Sequence, residues 1–481
     1  MCHLFFYSVI FIYSKRHPKS SQWILAGIVA IYNFDVKKES SDEILFYLVS
    51  AMRMLQHRGK AYWKIMIGGK VLENEGSLPS NHILSRLIKK KNLIGSNAIG
   101  YLSKRAPIYP SMNYLKIALD GFLVDTEKLY LHPYIGSAKD ADPLSQIYTI
   151  FTKLMNERKD HSRAAEFLDS HLLGNLILKV NDSIFVYRNS TGFKPLIMAS
   201  HKNMVIFSSE NSLQVSFSDL KYSDVKMGQL LKISNNNHIQ ELIILNNHKM
   251  LMDPFEFIRE SHVTTTFKEK SIYTIRRNIG KIQANYLSKY IDLDTVYAEP
   301  DYTRPMALGI GIELQKSFLN FEISEGVIKD RYDDSDHMID FSEEESKNKL
   351  LTTGMSLKFI LEDITKNKKI ASIQGTIQTG STAKETIHYL NKNGVKKIDV
   401  IVCYVPTIDG RQVGLYTSNR DFISNKYIGK VTSINQLNNY IAYELGCEKI
   451  FYNSPFLLSK GIGISESNLW FPEWIRFLDY E

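Results

Sequence analysis

Cysteine is scarce in this chain. Only Cys2, Cys403 and Cys447 occur among 481 residues, and their positions match no metal-ligand spacing. That excludes a disulfide framework, makes an iron–sulfur cluster an unexpected cofactor, and points to a reducing, cytoplasmic setting. Long apolar runs are also missing. Residues 4–13 are apolar except for Ser8, but ten residues are too few to cross a bilayer of about 30 Å. No Lys or Arg precedes that run, and no small-residue cleavage site follows it closely, so it does not read as a secretory signal. Nor is there a basic tract. The net charge is +8, from 59 basic and 51 acidic residues, which admits anionic ligands without indicating nucleic acid. No membrane and no nucleic acid are expected as partners.

What is present describes an ordinary globular chain. Apolar residues make up 44% and charged residues 23%, enough for two or three domains with full cores. From Ala26 the pattern is regular. Ala-Gly-Ile-Val-Ala-Ile-Tyr reads as a buried strand, and Asp42 as the cap of a helix with Ile44, Leu48, Ala51 and Leu55 on one face. Strands are expected at 63–67, 115–124, 175–188, 195–199, 204–208, 229–233 and 238–245, with a helix at 143–155. Helices and largely antiparallel strands in this order imply a layered α+β domain over 26–250.

The second half, 251–481, changes character. A long amphipathic helix is expected at 271–290, then a strand at 293–298, a helix at 307–318 and a strand at 321–328. The stretch 370–405 is a strand, a Gly- and Thr-rich loop, a helix and a second strand, a βαβ unit of a parallel sheet. Alternation of this kind implies a doubly wound arrangement. Ligands of such sheets bind at the carboxyl ends of the strands. Thr379, Gly380, Ser381 and Thr382 sit at such an end, before a helix whose first N–H groups can hold an anion. They read as a phosphate cradle, with Thr376 nearby, or as an ordinary connecting turn with helix caps.

Several blocks carry a family resemblance. Ala26-Gly27-Ile28-Val29, Leu55-Gln56-His57-Arg58-Gly59, Arg188 to Leu196, Ser208-Ser209-Glu210 and Val225-Lys226-Met227-Gly228 resemble the class II glutamine amidotransferase domain of the amidophosphoribosyltransferases. That resemblance implies an N-terminal nucleophile hydrolase-like αββα domain. Asp253-Pro254-Phe255-Glu256-Phe257-Ile258 resembles the family's passage into its second domain. The 370–382 loop and Val327-Ile328-Lys329-Asp330-Arg331-Tyr332 resemble a type I phosphoribosyltransferase domain, whose loop holds the 5′-phosphate of phosphoribosyl pyrophosphate. The likeness implies a place in purine nucleotide synthesis. It ends near residue 450, and the aromatic tail with Trp470 and Trp474 has no counterpart.

The family's chemical residues do not follow its framework. Its nucleophile is an N-terminal cysteine whose own amine is the base; Ala26 stands there, behind 25 residues that a start at Leu25 would remove. The arginine that grips the glutamine carboxylate is replaced by Ser103 unless Arg105 substitutes for it. The Asn-Gly oxyanion hole becomes Asp120-Gly121. Asp120 offers an acceptor where a donor is needed, while Gly121 keeps its N–H. Asp142 loosely matches the aspartate that holds the substrate amine. In the second half, Gln374 and Gly375 replace an acidic pair and Tyr302 a serine, all tied in the family to ribose and Mg²⁺. Hard cations require oxygen ligands, preferably carboxylates, so no Mg²⁺ is expected. The place of a loop arginine that covers pyrophosphate falls at Ser335, inside 333–345, a run with seven acidic residues and no Lys or Arg. That run reads as a solvated loop, and it would oppose an anion.

The expectation is an inactive, regulatory or scaffolding protein of the amidophosphoribosyltransferase type, in a homo-oligomer or paired with an active homologue. The alternatives are an ammonia-dependent enzyme making phosphoribosylamine, and a metal-independent sensor of a nucleotide monophosphate or another phosphorylated ribose.

Overall fold

The computed structural model describes residues 23–24, 26–35, 40–104, 116–201, 203–235, 238–246, 249–299, 302–318, 321–324, 327–329, 358–414 and 421–480. The expectations placed on 4–13, Arg105, Ser335 and the acidic run lie outside these residues.

The strand that organises the first half is β2 (Ala26–Asn33), following a short β1 (Trp23–Ile24). Side chains alternate across a strand, and here the two sets enter different cores. Ala26, Ile28, Ala30 and Tyr32 face one apolar cluster, and Val29 and Ile31 face another. The second cluster is closed by α1 (Ser40–Met54), which contributes Ile44, Tyr47, Leu48, Ala51 and Met52 at helical spacing. Asp42 lies in the first turn of α1 and not before it, because the helix already starts at Ser40.

Two antiparallel sheets form the middle layers. One has β2 near its centre, with β3 (Tyr62–Ile67), β4 (Lys70–Glu75) and β5 (Asn97–Ser103) to one side. The other has β6 (Ile117–Leu123), β7 (Leu172–Val180) and β8 (Ser183–Arg188) beside β1. The first sheet continues through β9 (Ile197–His201), β10 (Met204–Ser208) and β11 (Lys221–Asp224), the second through β12 (Gln229–Ser234) and β13 (His238–Ile244). Besides α1, the helix α2 (Asn81–Lys91) packs on β4, while α3 (Pro143–Lys153) and α4 (His161–His171) pack on β6, β7 and β13. The result is an αββα sandwich. Because β1 pairs with β6, Trp23 opposite Phe122 and Ile24 opposite Gly121, β1 and β2 lie in different sheets. Trp23 and Ile24 therefore belong to the sandwich.

The second half begins with a ribbon, β14 (Thr266–Phe267) and β15 (Lys270–Ser271), and then α5 (Ile272–Leu287). Ser271 caps α5 by accepting from the Thr274 N–H at 3.2 Å. Next come β16 (Thr295–Ala298), α6 (Arg304–Leu314), β17 (Glu322–Ser324), and a small pair, β18 (Val327–Lys329) with β19 (Lys358–Ile360). The expected strand over 321–328 is thus two short ones. The main sheet is completed by β20 (Lys369–Gln374), β21 (Lys397–Val402) and β22 (Lys449–Tyr452), all parallel, in the order β17-β16-β20-β21-β22. Its inner strands β16, β20 and β21 are buried on both faces, as parallel strands with crossover helices must be, while the edge strand β17 is largely exposed. Among the described residues no helix is long and apolar enough to cross a membrane.

The halves are joined by backbone as well as side chains. Leu251 N donates to Thr191 O at 2.8 Å and Asp253 N to Phe193 O at 3.0 Å. On the other side Met252 N donates to Asn468 O at 2.8 Å, and Trp470 N returns to Met252 O at 2.9 Å. The Trp470 indole lies edge-on to Phe193, with the Arg411 guanidinium 5.3 Å from its ring centre. The aromatic tail is a clasp.

Candidate functional site

Three of the expected residues of the first half meet at the start of β2. Ala26 pairs with Ser103 across β5, and its N–H points at Asp120 Oδ1, 3.4 Å away. Ala26 and Asp120 are both 0% exposed. Gly121 follows on β6 opposite Gly174, where a β-carbon would lie 2.2 Å from Leu173 O. With φ at +145° and the partner strand that close, packing alone requires glycine here. Asp142 stands apart as the cap of α3, accepting from Ser145 N at 3.0 Å and from the Ser145 hydroxyl at 2.7 Å.

Asp120 is not an open end of a pocket. Its Oδ2 accepts from Arg58 Nη1 at 3.2 Å, and Arg58 is itself 0% exposed. The same guanidinium donates through Nε to Glu210 and through Nη2 to Glu256 Oε2 at 2.6 Å. Lys194, also buried, reaches Asp253 Oδ2 at 2.6 Å and Glu256 Oε1 at 2.8 Å. Glu210 further accepts from His262 N at 2.8 Å and from the Thr265 hydroxyl at 2.6 Å, while His57 Nε2 lies 2.8 Å from its other oxygen. Two cations and four carboxylates thus fill the place where the two halves meet.

Their protonation follows from that count. Burial alone would lower the Arg58 affinity for its proton, but Glu256, Glu210 and Asp120 outweigh it and hold the group well above its ordinary value. Burial would raise Glu256, yet Arg58 and Lys194 pull it down to about 2. Glu210 is also held well below the carboxylate range, the pull of Arg58 and His57 exceeding its desolvation. Asp120 and Asp253 are pushed up to about 6, because burial exceeds what Arg58 and Lys194 return to them.

In the second half Gln374 ends β20, and its amide donates to Ser372 Oγ at 2.9 Å and toward Glu299 Oε2 at 3.4 Å. A β-carbon on Gly375 would lie 2.2 Å from Cε2 of Tyr302, so the phenol ring rests directly on the glycine. The guanidinium of Arg259 covers that ring, 4.9 Å from its centre. A hard divalent cation does not fit this donor set: a phenol, an amide used as a donor, and one carboxylate, Glu299. Among the described residues no group of three or more His, Cys, Asp or Glu is placed to hold a metal ion.

The loop beyond is different. Gly380 takes a left-handed turn, φ +83°, into the helix Ser381–Lys392, which carries no side-chain cap. Thr379 Oγ1 lies 3.1 Å from Ser381 Oγ and accepts from Ser381 N at 3.3 Å. Ser381 and Thr382 are exposed, Thr376 and Thr379 half-buried. Ile423 N holds the loop by donating to Gln378 O at 2.8 Å. Thr379, Gly380, Ser381 and Thr382 are therefore gathered around an open helix N-terminus, the arrangement that favours an anion.

In the sequence Arg58, Lys194, Glu210, Asp253 and Glu256 stand within the matching blocks and carry no role of their own. Lys194, Asp253 and Glu256 each interrupt a short apolar stretch that the fold buries, whereas Arg58 and Glu210 stand among polar neighbours and carry no such signal.

No protein-family model matches the chain. Curated relatives do. The chain is 23% identical over 472 residues to the amidophosphoribosyltransferase of Saccharomyces cerevisiae, covering 90% of this chain and 87% of that one. It is 22% identical over 479 residues to that of Methanocaldococcus jannaschii, covering 91% and 94%. Among solved structures it is similar to the glutamine phosphoribosylpyrophosphate amidotransferase from B. subtilis complexed with ADP and GMP, with a TM-score of 0.66, 18% identity, and 91% and 92% of the two chains covered. A structure described as the allosteric regulatory enzyme of purine biosynthesis gives a TM-score of 0.67 at 17% identity, covering 92% and 94%. The fold is that of these amidotransferases, and the relatives place the chain with the amidophosphoribosyltransferases.

Proposed function

We infer that this divergent relative of the amidophosphoribosyltransferases serves purine nucleotide synthesis as a non-catalytic protein, regulating or scaffolding it in company with copies of itself or an active homologue. The observation that carries this reading is the filled site at Ala26. Glutamine hydrolysis needs a nucleophile, a base and donors aimed at a developing oxyanion. Ala26 supplies no nucleophilic atom, its nitrogen is a peptide amide behind residue 25, and Asp120 presents one oxygen engaged by Arg58 and another facing the Ala26 N–H. The strands and glycines that build the site persist around it. Loss of the reacting side chains within a framework that keeps its strands and turns favours a retained non-chemical role over decay.

A second reading has its own support. The open first turn of the Ser381–Lys392 helix favours a phosphate monoester held without metal. Ammonia-dependent synthesis of phosphoribosylamine needs a metal-bound pyrophosphate, and the packing of Tyr302 on Gly375 argues against one. The deciding experiment incubates the purified full chain with glutamine and follows glutamate release. No release is expected, either from the native sequence or from Ala26→Cys, which still lacks a free amine and an oxyanion donor. Release that is lost on denaturation and absent from mock preparations would overturn the reading.

A further inference from the structure

We propose that the buried cluster of Arg58, Lys194, Asp120, Glu210, Asp253 and Glu256 is a proton-operated latch between the two halves of the molecule, closed firmly when Asp120 or Asp253 carries a proton and loosened when both are ionised. The geometry sets this up. Arg58, Asp120, Lys194 and Glu210 belong to the sandwich, and Asp253 and Glu256 to the segment that leads into the second half. Two of the bridges that cross the join, Arg58 to Glu256 and Lys194 to Asp253, are each 2.6 Å long. With every group ionised, four carboxylates face two cations, a net charge of −2 for the six, which the flanking Arg276, Lys104 and Glu260 bring to −1. Like charges in a site without water oppose one another strongly, so closure favours a proton on the carboxylates least compensated.

The surroundings identify which those are. Asp120 faces Arg58 from the turn after α1, the Ala26 N–H from β2, the Ser209 hydroxyl after β10, Lys194 from the turn after β8, and Glu256 across the join. Asp253 faces Lys194, Glu256, the Phe255 N–H at 2.9 Å, and the buried Tyr404 phenol beyond β21. Around the cluster, His57 and His262 flank Glu210, Lys104 reaches Glu260 at 2.6 Å, and Arg276 of α5 donates to Phe257 O and Ser261 O at 2.9 and 2.8 Å. Glu210 and Glu256 remain ionised, being tied to Arg58 most directly. Asp120 and Asp253 are the two driven upward, each to about 6. A folded-state value above the unfolded one contributes stability at low pH and loses it as pH rises through the folded value. The latch therefore weakens between about pH 5 and 7.

Hydrogen exchange of the unaltered full chain reads this directly, after correction for intrinsic exchange rates. The opening equilibrium of amides in 253–262 is expected to rise about tenfold for each participating carboxylate between pH 5 and 7, the change that follows for a group titrating at about 6. Amides of β20 and β21 should change less. A rise shared equally by all three segments, or none, overturns the proposal. A second measurement uses thermal unfolding of Asp120→Asn, Asp253→Asn and the double variant. Their melting temperatures relative to the unaltered chain should climb from pH 5 to 7, most for the double variant, because asparagine stays neutral. Taking the difference cancels whatever the variant and the unaltered chain share. A difference that stays constant or falls with pH overturns the latch.

Discussion

A guanidinium with no water around it persists only where carboxylates replace the water, and Arg58 is met by three of them, Asp120, Glu210 and Glu256. The planar fork of arginine suits this task, because its several N–H groups point in fixed, divergent directions. Lysine is a point charge and cannot serve all three at once. Removing one partner of a buried ion pair typically costs about 3–5 kcal/mol, since the remaining charges stay buried and uncompensated. Arg58→Ala is therefore expected to lose about that much in urea-induced unfolding, and Arg58→Lys clearly less. A loss below about 1 kcal/mol for the alanine variant would mean that the carboxylates find water or one another, and that Arg58 does not hold the join. The same residue illustrates what a sequence conceals. Leu55-Gln56-His57-Arg58-Gly59 was recognisable as a block, but three of Arg58's partners lie 62, 152 and 198 positions away. Nothing in local spacing names such partners.

Elements were far more legible than contacts. The alternation in β2, the helical stripe of α1 and the βαβ unit at 370–402 are local patterns, and the structure has each of them. Boundaries moved where tertiary context decided them: α6 starts at Arg304 because Pro305 suits a first turn. Helices α2 and α4 were not foreseen, for their apolar positions are few and their sequences largely polar. The loop before the Ser381–Lys392 helix was legible as a loop, and its use follows from its turn. We expect inorganic phosphate or a nucleoside monophosphate to bind there weakly, at micromolar affinity or below, and without dependence on Mg²⁺. A few charge-assisted hydrogen bonds of about 1.5–3 kcal/mol each, less ordering costs, reach no further. Gly380→Val is a poor control, because a β-carbon at Gly380 already meets Ile423 and Leu445 at 3.0 Å, on backbone that disfavours side chains. The exposed Ser381 is the better position. Ser381→Asp adds a negative charge at the helix N-terminus, which the helix tolerates and an anion does not. Calorimetric titration should show binding lost in that variant. A tenfold or greater gain in affinity on adding Mg²⁺ would show that a metal site survives.

At the scale of the whole molecule the two halves behave as one unit, and each of three features leads to that statement separately. The segment 251–253 is hydrogen-bonded on one side to the turn at 191–193 and on the other to the tail at 468–470. Trp470 is set between Phe193 of the sandwich and Arg411 of the second half. Lys194 is buried with both of its partners, Asp253 and Glu256, beyond the sandwich. A sandwich that melted away from its partner would expose that lysine's site or leave its charge uncompensated, at a cost of several kcal/mol. Net stabilities of about 5–15 kcal/mol leave little room for such an intermediate. Scanning calorimetry of the full chain is thus expected to give one unfolding transition instead of two. Trp470→Ala should lower its midpoint, since the indole loses both faces of its contact, and should broaden or split the transition as the clasp fails. Two resolved transitions in the unaltered chain, neither shifted by Trp470→Ala, would mean that the halves are merely tethered, and that the ion cluster and the tail pack without coupling them.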